Sequence, residues 1–249
     1  MVKYALVNLT KNMELGKEDK ENPRQLKDVN FYIVPGGMSP TIQEWQNDFG
    51  ELINNMGVKK ENIHLSHLTN TNKPKTYFGP YKDWRESSDL PINPEESKNS
   101  VIIAHSSGAE LAMIWAEHHK NLGLILFSPY VDSNVGPLGN GYLEKYSGMF
   151  NKTNKDGKKV NREFNWERIS KNSNFVIIVH SENDKLVPAH QSFNVYRRLR
   201  GDTENKNIIF INSEKGGHYP VKSQFTEVMK TGKIFESLVK NSLFSTNKH

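Results

Sequence analysis

Apolar, largely β-branched runs recur along this chain, separated by segments of helical periodicity, and that alternation constrains the possible folds more than any other feature. Five runs stand out, at residues 4–9, 29–34, 101–104, 122–127 and 175–179, and a sixth, at 208–211, follows the helical pattern AHQSFNVYRRLRG. Continuous apolar runs belong to strands buried on both faces. The pattern therefore predicts an α/β fold, a mostly parallel sheet with helices on both faces. In that architecture ligands bind at the carboxyl ends of the strands, so each candidate residue is judged by whether it follows a strand.

The 249 residues suit a single domain, expected over 1–249. Three stretches break the alternation: the charged residues 10–28, the four-proline segment 69–98, and residues 129–170 between two predicted strands. The last is too long for a plain connection and is expected to form a lid-like insertion or binding rim. No internal repeat is present.

The formal charge of +5 would suit a nucleic-acid partner only if the basic residues clustered. Lys and Arg are instead spread among Asp and Glu, so nucleic acid is not expected as a partner. The absence of cysteine excludes disulfides, thiolate catalysis and zinc-thiolate sites. The first ten residues, MVKYALVNLT, lack the pattern of a signal peptide, and no 18-residue apolar stretch occurs. A cytoplasmic protein with no membrane span is expected. The sequons at Asn8 and Asn151 would then carry no glycan.

The stretch VIIAHSSGAELAMIWAEHH, residues 101–119, has the form of a nucleophile elbow. A reactive serine held in a tight strand-to-helix turn needs small neighbours at −2 and +2, and Ala104 and Gly108 flank Ser106 at those positions. The helix that follows would favour negative charge at its start. A serine hydroxyl needs a base, and the base needs an acid to orient it. Asp184 follows the 175–179 run and His218 follows the 208–211 run, in the order serine, acid, histidine. Gly216 and Gly217 allow a sharp loop before His218. Two backbone N–H groups would bind the oxyanion: that of Ser107, and one from the loop VPGGMSP, where Gly37 is preferred over Gly36 and Met38.

The chain resembles the retinoblastoma-binding protein 9 family of small serine hydrolases, within the α/β-hydrolase superfamily. The resemblance rests on VIIAHSSGAELAMIWAE, LGLILFSPY, FNWERISKNSNFVIIVHSENDKLVP and KGGHYP, and spans roughly residues 29–245. It implies the α/β-hydrolase fold, with Ser106 as nucleophile, Asp184 as acid and His218 as base. The family usually has glycine where Ala104 stands, and its glycine-rich oxyanion loop differs in spelling and length from VPGGMSP. Residues 1–28 and much of 133–163 look like additions in this chain. The retinoblastoma-binding motif of the family's namesake needs a cysteine, so that interaction is not carried over.

Other candidates rank lower. His64 and His67, three apart in an extended run, would point to opposite faces, and no metal is expected. His118 and His119 suit a helix end. His105 and His180 read as structural, although His180 could line the site, and Asp132 and Glu182 are rivals to Asp184. Among Tyr130, Tyr142, Tyr146, Phe150, Phe164 and Trp166, on or beside the long insertion, Tyr130 and Trp166 are the candidates for substrate contact. The expected function is hydrolysis of a carboxylic ester, ahead of an amide or thioester, through an acyl-enzyme. It needs no cofactor and takes a small-molecule acyl substrate. The alternative is a non-catalytic binding module on the same scaffold.

Overall fold

The computed structural model describes residues 26–36, 42–66, 92, 95–130, 151–153, 159–161, 163–201, 207–214 and 216–230. Six strands form one sheet: β1 (Asn30–Val34), β2 (Ile63–Leu65), β3 (Ser100–His105), β4 (Asn121–Phe127), β7 (Ser173–Ser181) and β8 (Ile208–Ser213). Their order is β2-β1-β3-β4-β7-β8 and every pair is parallel. Between β4 and β7 a two-stranded antiparallel ribbon, β5 (Asn151–Thr153) with β6 (Lys159–Asn161), stands apart from the main sheet.

The period of two along each strand divides the core between the two faces. Phe31, Ile33, Val101, Ile103, Ile125, Phe127, Ile177 and Val179 point one way. They meet α1 (Glu44–Asn55) and α5 (Lys222–Lys230) through Trp45, Phe49, Ile53, Phe225 and Val228. Phe49 stacks on Phe225 at 4.1 Å between centroids. Tyr32, Val34, Ile102, Ala104, Leu124, Leu126, Val176 and Ile178 point the other way. They are covered by α2 (Ser107–Ala116), α3 (Trp166–Asn172) and α4 (Ala189–Arg200). Every residue of α2 is buried, which explains a helix without a polar face. Each large side chain so buried contributes about 1.5–3 kcal/mol.

Five of the six apolar runs thus lie in the expected mostly parallel sheet, and residues 4–9 lie outside the described residues. Two features differ from the sequence expectation. The edge strand β2 has no long apolar run, because its three residues are all only half-buried. The 129–170 stretch also holds regular structure: the β5–β6 ribbon, then most of α3, which leads directly into β7.

Candidate active site

At the end of β3 the chain reverses within one residue into α2. Ser106 takes up that reversal with φ 53° and ψ −123°, a conformation that costs a non-glycine residue about 1–3 kcal/mol. Two backbone bonds fix it: its N–H donates to Phe127 O at 2.9 Å, and its carbonyl accepts from Ala109 N at 2.9 Å. The turn also needs its small neighbours. A Cβ on Gly108 would lie 2.2 Å from the carbonyl oxygen of Pro35, so the chain leaving β1 runs directly against the first turn of α2. Gly36 lies there too: a Cβ built on it would be 3.0 Å from Cβ of Ser106. Ser107 is the first residue of α2, and its N–H has no preceding turn to bond.

Asp184 lies three residues beyond the end of β7, its side chain fully buried. Its Oδ1 accepts from the N–H groups of Leu186 (2.8 Å) and Val187 (2.9 Å). Its Oδ2 accepts from Oγ of Ser128 (2.8 Å) and Nδ1 of His218 (3.0 Å). Burial pushes the carboxyl pKa up, but the hydrogen bond and charge of His218 and the two amides outweigh it and bring it down to about 2. Asp184 is therefore a carboxylate at any physiological pH. Ser128, directly after β4, is the other non-glycine residue with positive φ among the described residues, at 45°, and its N–H donates to Val179 O.

The loop after β8 carries His218. Gly216 and Gly217 adopt φ of 145° and 66°, as that sharp loop requires, and Gly217 N–H donates to Oδ1 of Asn183 at 2.8 Å. This ties the Asp184 loop to the His218 loop. Because Asp184 is a carboxylate, Nδ1 of His218 is the donor, and Nε2 is left with its lone pair. Nε2 makes no hydrogen bond among the described residues, and Ser106 Oγ makes none either. The Ser106 turn and the His218 loop are joined through the residue before the serine, as Nε2 of His105 lies 2.8 Å from the carbonyl oxygen of His218.

The remaining candidates fall as follows. Gly37, Met38, Asp132, Tyr142, Tyr146 and His67 lie outside the described residues. Glu182 is exposed and accepts from Asn212 at 2.7 Å, while the bond to Nδ1 of His218 is made by Asp184. Tyr130 is buried two residues past Ser128, at the carboxyl edge of the sheet. Trp166 goes elsewhere: it packs on Phe164 at 5.0 Å and under Arg198 at 5.8 Å, while neighbouring Asn165 binds Glu117. Arg198 and Glu117 sit at the ends of α4 and α2 that have run back to the amino edge, so the structure does not bring Trp166 to the loops of Ser106, Asp184 and His218.

His64 stacks on Tyr32 at 4.5 Å, and His119 stacks on Trp115. His180 hydrogen-bonds Ser192 in the core at 3.0 Å, and burial lowers its pKa. No group of three metal-binding side chains occurs among the described residues. No helix there is long and apolar enough to cross a membrane. Sequence reasoning passed over Ser128 and Tyr219. Ser-Pro after a strand gives no sign of a carboxylate 56 residues away. Tyr219 is 59% exposed and lies 5.5 Å from the His218 ring between centroids.

The fold has counterparts among known proteins. The chain is 35% identical over 118 residues to Serine hydrolase RBBP9 of Rattus norvegicus, covering 46% of this chain and 55% of that protein. It thus spans about half the length of the curated relative it matches. No protein-family model matches it. Among solved structures, the ydeN gene product from B. subtilis superposes with a TM-score of 0.59 at 17% identity, over 84% of this chain and 98% of that one. Alpha/beta hydrolase domain-containing protein 10 from mouse does so with a TM-score of 0.53 at 14% identity, over 84% of this chain and 90% of that one.

Proposed function

We propose that this chain, which has the α/β-hydrolase fold, is a serine hydrolase that cleaves a carboxylic ester, ahead of an amide or thioester, through an acyl-enzyme. One observation carries the reading. Ser106 stands in a strained turn between a strand and a buried helix, while the loops after β7 and β8 deliver a hydrogen-bonded Asp184–His218 pair. The similarity to Serine hydrolase RBBP9 supports it.

In this reading the bare Nε2 of His218 takes the proton of Ser106, once rotation of the serine side chain brings Oγ within reach. Oγ attacks the ester carbonyl, and the N–H groups of Ser107 and Gly37 bind the oxyanion that forms, each worth about 3–4 kcal/mol of barrier. The imidazolium is held by Asp184, already charged before substrate arrives. Collapse breaks the bond to the alcohol oxygen, which takes its proton from Nε2. Water, deprotonated by His218, then attacks the acyl-enzyme, and Ser106 recovers its proton as the acid leaves. Tyr130 contacts the acyl group from the carboxyl edge; Trp166 has no part in the proposal. The reaction needs no cofactor.

The test is labelling by a fluorophosphonate probe alongside hydrolysis of p-nitrophenyl esters. Wild type labels and turns over, Ser106→Ala does neither, and His218→Ala loses turnover. Labelling that persists in Ser106→Ala removes the nucleophile, and full ester activity in His218→Ala removes the base.

A further inference from the structure

The two histidines at the site are held in different ways, and the difference concerns His105. It is the last residue of β3 and only 2% exposed. Trp45 meets its ring edge-on at 5.8 Å between centroids, with His218 at 4.7 Å and Tyr219 at 5.6 Å on its other contacts. In these surroundings an aliphatic or phenyl side chain would bury more apolar area at no polar cost. The imidazole instead makes one hydrogen bond, from Nε2 to the main-chain carbonyl of a residue 113 positions away, and that residue is His218.

We propose that His105 is a positioning residue: by donating Nε2–H to the His218 carbonyl it locks the base loop to the nucleophile elbow and so aims the base at Ser106. The inference rests on the reading of Ser106 and His218 as nucleophile and base. A carbonyl can only accept, so the proton of His105 is on Nε2 and Nδ1 is bare. That nitrogen faces the chain leaving β1, since a Cβ on Gly36 would lie 3.0 Å from it. One ring thus touches three parts of the site: the elbow by covalent bond, the base loop by hydrogen bond, and the β1 exit by packing.

The electrostatics agree with the geometry. Burial first, then the nearby charge of His218, pull the His105 pKa down to about 3. His105 therefore stays neutral while His218 cycles through its charged form, and adds no second cation beside it. Asp184 holds the His218 side chain through Nδ1 and Asn183 holds the N–H of Gly217, while the His105 bond holds the His218 carbonyl itself; a shift of about 1 Å at the base is enough to cost roughly 100-fold in rate.

The test compares the full chain as wild type, His105→Leu, His105→Gln and Ser106→Ala. Leucine fills space without a donor; glutamine restores an N–H donor on a side chain of similar reach. Three readouts are taken: kcat and KM on a p-nitrophenyl ester, the rate of fluorophosphonate labelling, and the downfield proton NMR signal of the His218 Nδ1–H.

In His105→Leu we expect kcat and the labelling rate to fall about 10- to 100-fold with KM within about twofold, and the downfield signal to broaden or shift. In His105→Gln we expect all three to return to within about threefold of wild type. A folded His105→Leu with wild-type kcat and an unmoved signal overturns the inference, as does a His105→Gln no better than Leu. If His105→Leu does not fold, His105→Gln decides: kcat and signal kept support the donor, and a tenfold loss overturns it. Labelling that persists in Ser106→Ala instead brings down the reading of the site, and the NMR comparison still tests the tether.

Discussion

Asp184 and His218, the acid and base of the proposed mechanism, are adjacent yet anchored very differently. The Asp184 side chain is fully buried and accepts four hydrogen bonds, two from its own loop and two from elsewhere in the fold. His218 keeps 12% of its side chain exposed and is held at one ring nitrogen and one carbonyl. The difference follows from charge. A carboxylate that must stay ionised out of water needs every lone pair met. A base that must take a proton and give it away needs one nitrogen left open.

The largest test of this contrast is Asp184→Asn. Three donors, Ser128 and the amides of Leu186 and Val187, would face a group that can present only one carbonyl oxygen. A drop in kcat on the order of 10⁴-fold is expected, with loss of the His218 tautomer. A variant retaining a tenth of wild-type activity would break the contrast. Ser128→Ala comes next. It removes one bond to a charged acceptor, worth about 1.5–3 kcal/mol, and should raise the Asp184 pKa; denaturant unfolding and titration of the carboxyl by NMR check both.

Acid titration sharpens the same point. The carboxyl moves from 3.8 to about 2 on folding, so its contribution is present above pH 4 and is lost as pH falls toward 2, by about 2 kcal/mol. His105 adds an earlier loss. Its folded pKa lies below 6.5, so protonation favours the unfolded chain as pH falls from that value toward 3. His105→Gln should flatten the stability curve in the upper window and leave the lower one intact, as read by unfolding at successive pH values. The smallest expected effect is that of Asn183→Ala. Losing its bond to Gly217 should cost no more than about 1 kcal/mol and a few-fold in kcat.

The strands were legible because burial on both faces forces apolar runs, and the order of Ser106, Asp184 and His218 was legible because each follows such a run. Ser128 was not, since its role depends on β4 lying beside β7, a pairing that leaves no local mark. The tether from His105 was hidden for the same reason: an imidazole at a strand end reads as packing until its partner is placed. Trp166 misled because its place beside the insertion suggested the site. Where it lies is set by the short connection from α3 into the start of β7.

The exits of β3 and β4 repeat one backbone device. Ser106 and Ser128 both sit at positive φ, and each N–H is tied to the last turnings of the neighbouring strand, at Phe127 O and Val179 O. Glycine would occupy either position with less strain. A selection for heat resistance alone should therefore enrich glycine at Ser106, whose hydroxyl makes no hydrogen bond among the described residues, and keep Ser128, whose hydroxyl is bonded to Asp184. Under the proposed mechanism, activity and durability pull on Ser106 in opposite directions and on Ser128 in the same one.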